Sequence, residues 1–161
     1  MIVIVMGVVG SGKTTVGRLL AEQMRWQFAD ADDFHPASNV EKIRNGIPLT
    51  DQDRAPWLDR LRVAISGWIL SRQNVVLACS ALKRNYRRIL EVGPDVRFVY
   101  LKGSPALIAE RLRTRHGHFA NEQILASQFA DLEEPEDAVT VSISPEPPGI
   151  VAEIRKRLGL E

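Results

Sequence analysis

Near the start of the chain a β-branched apolar run, Ile2-Val3-Ile4-Val5-Met6, breaks at a glycine and gives way to Gly7-Val8-Val9-Gly10-Ser11-Gly12-Lys13-Thr14. After it Val16, Leu19, Leu20 and Met24 recur at helical spacing. No other feature narrows the fold as much. A run of Val and Ile with no polar alternation suits a strand buried on both faces, as the strands of parallel sheets are. Parallel neighbours need crossover connections, and these are usually helices. Strand, glycine turn and amphipathic helix therefore open a βα unit, and the rest of the chain is expected to alternate strands with helices.

It does so in pattern. Residues 27–30 read as a short second strand, followed by a polar stretch whose His35-Pro36, Asn45-Gly46 and Ile47-Pro48 pairs mark an inserted loop or short helix. Pro56 is expected to open a helix with Trp57, Leu58, Leu61, Ile65, Trp68 and Ile69 on one face. Residues 74–79, 96–101 and 139–143 read as further strands, and 83–91, 105–113 and 149–158 as helices. Five short strands with helical crossovers predict a doubly wound parallel sheet, with ligands beyond the carboxyl ends of the strands. A length of 161 residues fits one domain.

The glycine turn matches G-x-x-x-x-G-K-[ST], and it stands where that motif must stand, after a strand and at the start of a helix. Glycines let successive backbone N–H groups converge on a phosphate, and the helix N-terminus adds partial positive charge. Lys13 reaches the β- and γ-phosphates and the Thr14 hydroxyl ligates Mg²⁺. Gly7, Val8, Val9, Gly10, Ser11, Gly12, Lys13, Thr14 and Thr15 form the predicted binding set for a nucleoside triphosphate. The composition narrows the partner. A net charge of +1 offers no basic excess for nucleic acid, so a small molecule is expected. The longest apolar run, Met1 to Val9, is far short of the ~20 residues a membrane span requires and no basic residue precedes it, which predicts a cytoplasmic protein without membrane attachment. With Cys79 alone there is no internal disulfide, and Cys79 reads as a small core residue.

Phosphate loops serve switches, motors and kinases alike. The N-K-x-D tetrapeptide of guanine-nucleotide switches does not occur, and the strand at 75–79 runs into Ser80-Ala81-Leu82-Lys83 without the Asp of a hydrolytic motor. Carboxylates follow the second strand instead, in Asp30-Ala31-Asp32-Asp33. One suits water-mediated Mg²⁺ binding and another the handling of an acceptor hydroxyl; the competing reading is a solvated turn or helix cap.

Several segments together resemble the phosphate-loop gluconokinases: the loop of residues 7–14, Asp30-Ala31-Asp32-Asp33-Phe34-His35-Pro36, and Asn45 through the Asp53-Arg54-Ala55-Pro56-Trp57-Leu58 stretch. To these add Ala78-Cys79-Ser80-Ala81-Leu82-Lys83 with Tyr86-Arg87, Tyr100-Leu101-Lys102-Gly103-Ser104, and Gly117-His118-Phe119 with Ser127-Gln128-Phe129. The resemblance covers nearly the whole chain. It implies a nucleoside-monophosphate-kinase-like fold with a helical lid at about 115–135, frequent homodimers, and ATP-dependent phosphorylation of D-gluconate to 6-phosphogluconate. It also aligns Asp32 with the family's second Asp, the group that orients the acceptor hydroxyl, leaving Asp30 to the metal. Val9 departs from the family, which often has Ser there, as does Ala120, where a bulkier residue often follows Gly-His-Phe.

That substrate suits the remaining residues. An acyclic polyol acid needs cations at one end and a carboxylate at the other, near the phosphates. Arg54, Lys83 and Arg87 are the candidate anion ligands, and His35, His118 and Gln128 the candidate partners of the hydroxyls. Arg111 and Arg115, spaced i and i+4, share a helical face on which they can clamp the transferring phosphoryl group, while Arg113 points elsewhere. Two other readings stay open: a different kinase of this shape, such as a shikimate kinase, and an ATP-responsive binding module without turnover.

Overall fold

The computed structural model describes residues 1–116 and 122–161, with side chains for all of these but 115, 116 and 122. Strand β1 (Ile2–Met6) leads through the glycine turn to α1 (Lys13–Met24) and back to β2 (Gln27–Asp30). A 3₁₀ turn (Ala31–Phe34), α2 (Ala37–Arg44) and α3 (Asp51–Leu70) precede β3 (Val75–Ala78). Then follow α4 (Arg84–Leu90), β4 (Val96–Lys102), α5 (Pro105–His116), α6 (Glu122–Asp131), β5 (Val139–Ser142) and α7 (Pro147–Leu158). All pairings are parallel and the strand order is β2-β3-β1-β4-β5. The expected five-stranded parallel sheet is thus the observed one.

The unbroken apolar run of β1 is explained by its position at the centre of that sheet. Ile2, Ile4 and Met6 join Val75 and Leu77 under α3 and α4, where Trp57, Leu58, Leu61, Ile65 and Leu90 complete one core. Val3 and Val5 point the other way, with Val99 and Leu101, into a second core closed by Leu20 of α1, Ile108 of α5 and Ile154 of α7. Each fully buried Val or Ile contributes about 1.5–3 kcal/mol. The strand therefore has no position at which a polar residue is tolerated.

The start of α3 differs from the sequence reading. Helix α3 opens at Asp51 rather than at Pro56, because Thr50 and Asp53 form a reciprocal cap: Asp53 N donates to Thr50 Oγ1 at 3.1 Å and Thr50 N to Asp53 Oδ2 at 3.0 Å. Pro56 lies inside the helix and leaves one backbone bond unmade. The cap and the packed face beyond outweigh that loss. The polar stretch after residue 35 contains the short helix expected there, α2, whose one buried residue is Asn39, with the Asn45-Gly46 and Ile47-Pro48 pairs outside it.

Register sets the site. Asp30 at the end of β2 lies level with Ala78 of β3, and Ala78 in turn with Val5 of β1. The acidic turn, the glycine turn and the Ser80–Lys83 connection accordingly emerge along one edge of the sheet.

Candidate active site

Gly10 and Gly12 take φ values of 79° and 95°, a backbone region that L side chains rarely adopt. At Gly10 a Cβ would also stand 2.8 Å from Leu112 of α5, so glycine is required on both counts. The turn places Lys13 at the first position of α1, where its ammonium donates to Val8 O at 3.0 Å. Burial pulls Lys13 below its ordinary pKa, and the charge of Asp32 chiefly opposes that pull. Gly7 N donates to Ser80 O at 3.3 Å and ties the turn to the loop after β3.

Beside Lys13, the Thr14 hydroxyl lies 3.5 Å from Asp30 Oδ2, while Asp30 Oδ1 accepts from Asp32 N at 2.9 Å. Asp30 is therefore both a cap of the 3₁₀ turn and a neighbour of the phosphate loop. Burial, then the charge of Asp30, raises Asp32 above the usual carboxylate range, and Lys13 counters part of the shift. No group of three or more His, Cys, Asp or Glu among the described residues is arranged to hold a metal. A hydroxyl and a carboxylate side by side nevertheless fit Mg²⁺, which keeps several waters and shares its shell with phosphate oxygens. Cys79 is buried, its thiol pushed up to about 12 by that burial, as an inert core residue should be.

On the other side of the loop a cavity of about 540 Å³ is lined by Gly10, Gly12, Thr15, Leu107, Arg111 and Pro147. Arg111 donates from Nη2 to Ile143 O at 2.6 Å, which fixes its stem along this wall. Gln128 of α6 reaches the loop itself, its Oε1 accepting from Val9 N at 2.6 Å. Sequence alone sets Gln128 against an acceptor hydroxyl; the structure puts its amide on the phosphate loop.

The cations expected for an anion form a cluster on α3 and the start of α4. Arg54 donates to Tyr86 Oη at 2.9 Å, and the Tyr86 hydroxyl donates to Asp51 Oδ1, which also accepts from Lys83 at 3.0 Å. Both cations lie against the Tyr86 ring, Arg54 at 5.5 Å and Lys83 at 5.7 Å from its centre. Asp131 of α6 stands 3.9 Å from Arg54. The bonds from Tyr86 and Lys83 hold Asp51 below the ordinary carboxylate range, and the bond to Asp51 raises Lys83. Asp51 and Asp131 escaped the sequence reading because acidic residues are ordinary on exposed helical turns; only their convergence on Arg54 and Tyr86 marks them. His35 stacks on Trp57 with ring centres 4.4 Å apart, and desolvation, aided by the charge of Arg54, lowers its pKa to about 4.

Arg87 does not join this cluster. Its side chain turns inward, 7% exposed, and donates to Ala81 O, Leu82 O and Glu133 O at 2.7, 3.0 and 2.7 Å. The fork expected to grip an anion instead holds the loop after β3 to the end of α6. The side chain of Arg115 and the whole of His118 lie outside the described residues, as does Ala120.

A family model described as shikimate kinase matches residues 9–140. A probable gluconokinase of Xenopus tropicalis is 43% identical over 96% of this chain and 91% of its own length. The thermoresistant gluconokinase of Escherichia coli K12 is 42% identical over 94% and 89%. This chain belongs to the gluconokinase family. The crystal structure of a gluconokinase from Sinorhizobium meliloti 1021 covers 98% of the chain, and 90% of its own, at 41% identity and a TM-score of 0.88. The likeness to gluconokinases thus spans nearly the whole chain. Of the two departures, Val9 contributes its backbone N–H rather than its side chain to the contact with Gln128, so replacing the family's usual Ser leaves that bond intact.

Proposed function

We propose that this protein transfers the γ-phosphoryl group of ATP to the 6-hydroxyl of D-gluconate, giving 6-phospho-D-gluconate and ADP. The observation that carries this reading is the separation of charge along one sheet edge: a phosphate loop flanked by Asp30 and Asp32, and a distinct cation pair, Arg54 and Lys83, assembled on Tyr86. A linear acid with its reacting hydroxyl at the far end offers one partner to each of these two sets of groups. Arg54 and Lys83 receive the carboxylate, with Tyr86 fixing their geometry. His35 stays neutral at physiological pH and meets the chain hydroxyls as an uncharged partner. Asp32 orients the 6-hydroxyl and accepts its proton as the bond to phosphorus forms.

Lys13 bridges the β- and γ-phosphates once its present bond to Val8 O is exchanged for them. Thr14 and Asp30 would hold Mg²⁺, which when bound neutralises charge on the phosphate oxygens. Arg111, and Arg115 one turn further along α5, are assigned to the nucleotide and the transferring group. Arg87 is assigned to the scaffold that positions Lys83 and the loop before it. Among the described residues no helix is long and apolar enough to cross a membrane.

The test is ADP release from MgATP with D-gluconate, with shikimate, and with neither. Strong stimulation by gluconate alone is expected. Faster turnover with shikimate would transfer the assignment to the family named by the matching model, and slow hydrolysis indifferent to either acid would leave a nucleotide-responsive binding module.

A further inference from the structure

Helix α2 exposes most of its surface and buries a single residue, and that residue is polar: Asn39 is 2% exposed. Buried amides are retained where their hydrogen bonds are satisfied, so their partners identify what they hold. Asn39 Nδ2 donates to the backbone carbonyl of Asp53 at 2.8 Å and lies 3.2 Å from Nδ1 of His35. The first contact decides the second. A carbonyl oxygen only accepts, so the amide group facing Asp53 is the NH₂, and its other hydrogen is the one presented to His35. A ring nitrogen approached by an N–H must carry no proton. Neutral His35 has one ring proton, which therefore resides on Nε2.

The ring is fixed in the other directions as well. It lies against the Trp57 indole at an interplanar angle of 13°, and the indole is held by Nε1–H donating to Ala31 O at 2.7 Å. Among the described residues none accepts from Nε2 of His35. Stacking thus fixes the plane, and Asn39 fixes rotation within it and the identity of the protonated nitrogen.

We propose that Asn39 is a positioning residue that locks His35 in its Nε2–H tautomer, so that the ring offers one fixed donor to a hydroxyl of the acceptor polyol. This rests on the reading of His35 given under the proposed function. The amide acts at a distance from the substrate, through one imidazole, by excluding the tautomer in which His35 would present a lone pair instead of a proton.

The experiment combines ring ¹⁵N NMR of the full-length protein, labelled at histidine, with steady-state kinetics. Wild type is expected to show His35 as Nε2–H. Asn39→Asp replaces the donor at Nδ1 by an acceptor and is expected to move the proton to Nδ1. It should raise KM for gluconate by about tenfold, the order of one lost hydrogen bond at a desolvated site, with KM for ATP within about twofold. Asn39→Ala removes the donor without adding charge, so it carries the same test should the Asp variant fail to fold; a mixture of tautomers and an intermediate KM are expected. In a His35→Phe background, which keeps the stack on Trp57, either change at residue 39 should add nothing to the gluconate KM. A tautomer unaltered by both substitutions, or equal losses with and without His35, would overturn the lock while leaving a gluconate kinase. A tautomer that follows residue 39 in a protein inert toward gluconate would support the lock and overturn the functional reading.

Discussion

Replacing Arg87 by Met keeps the length and apolar contacts of the stem and removes the guanidinium. Its three acceptors then fare differently. Leu82 O retains a bond, because Glu133 N donates to it at 2.8 Å, whereas Ala81 O and Glu133 O lose the donor described for them. An orphaned buried acceptor costs about 1–3 kcal/mol, and water reaching the partly open end of the site recovers some of it, so a loss of about 2–4 kcal/mol is expected. For a domain of this size about 2–4 °C of melting temperature accompanies each kcal/mol, which puts the expected fall at roughly 5–15 °C. Arg87→Lys should recover only part of that, since an ammonium on a flexible stem does not span acceptors held on two separate segments. Thermal unfolding with and without gluconate separates structure from binding. If Arg87 serves the scaffold, the melting point falls in the free protein, and KM for gluconate changes much less than it does on removing Lys83. An unchanged melting point with KM raised tenfold or more would refute the reasoning and restore Arg87 as an anion ligand.

Lys83→Met should raise KM for gluconate by about 10- to 100-fold, the range for a charged hydrogen bond, with KM for ATP little altered in the same ADP-release assay. Lys13→Met removes the cation between the terminal phosphates without touching the glycine turn, so turnover should nearly vanish in a protein whose melting curve is normal. Asp32→Asn should lower kcat more than it raises KM for ATP. Because burial and Asp30 raise the pKa of Asp32 in the free protein, its carboxylate is lost on acidification at a higher pH than an ordinary Asp would require; the acid limb of kcat/KM should lie above the ordinary carboxylate range and move to lower pH when the Asp30 charge is removed in Asp30→Asn. A kcat/KM flat through that range would remove Asp32 from the proton transfer.

What the sequence determined by itself is local in origin. The run Ile2–Met6 specifies a doubly buried strand because no alternation survives in it, and the glycine turn specifies a phosphate site because backbone conformation and helix start are encoded within eight consecutive residues. The parallel sheet, the loop and the acidic turn were all legible on those terms. The start of α3 departs from the sequence expectation for an equally local reason, since Pro56 is a stronger signal of a helix start than the Thr50–Asp53 cap that in fact sets it. Arg54, Lys83 and Arg87, by contrast, are three cations of equal promise in one dimension. Their uses diverge through partners more than thirty residues away for Lys83 and forty-six for the Glu133 carbonyl held by Arg87. Asn39 shows the same dependence, because an amide becomes a tautomer lock only where the fold closes α3 over α2 and leaves His35 between them. Conformation within a turn follows from the residues that make it. Which donor meets which acceptor follows from the packing of distant elements, and only the tertiary structure supplies that.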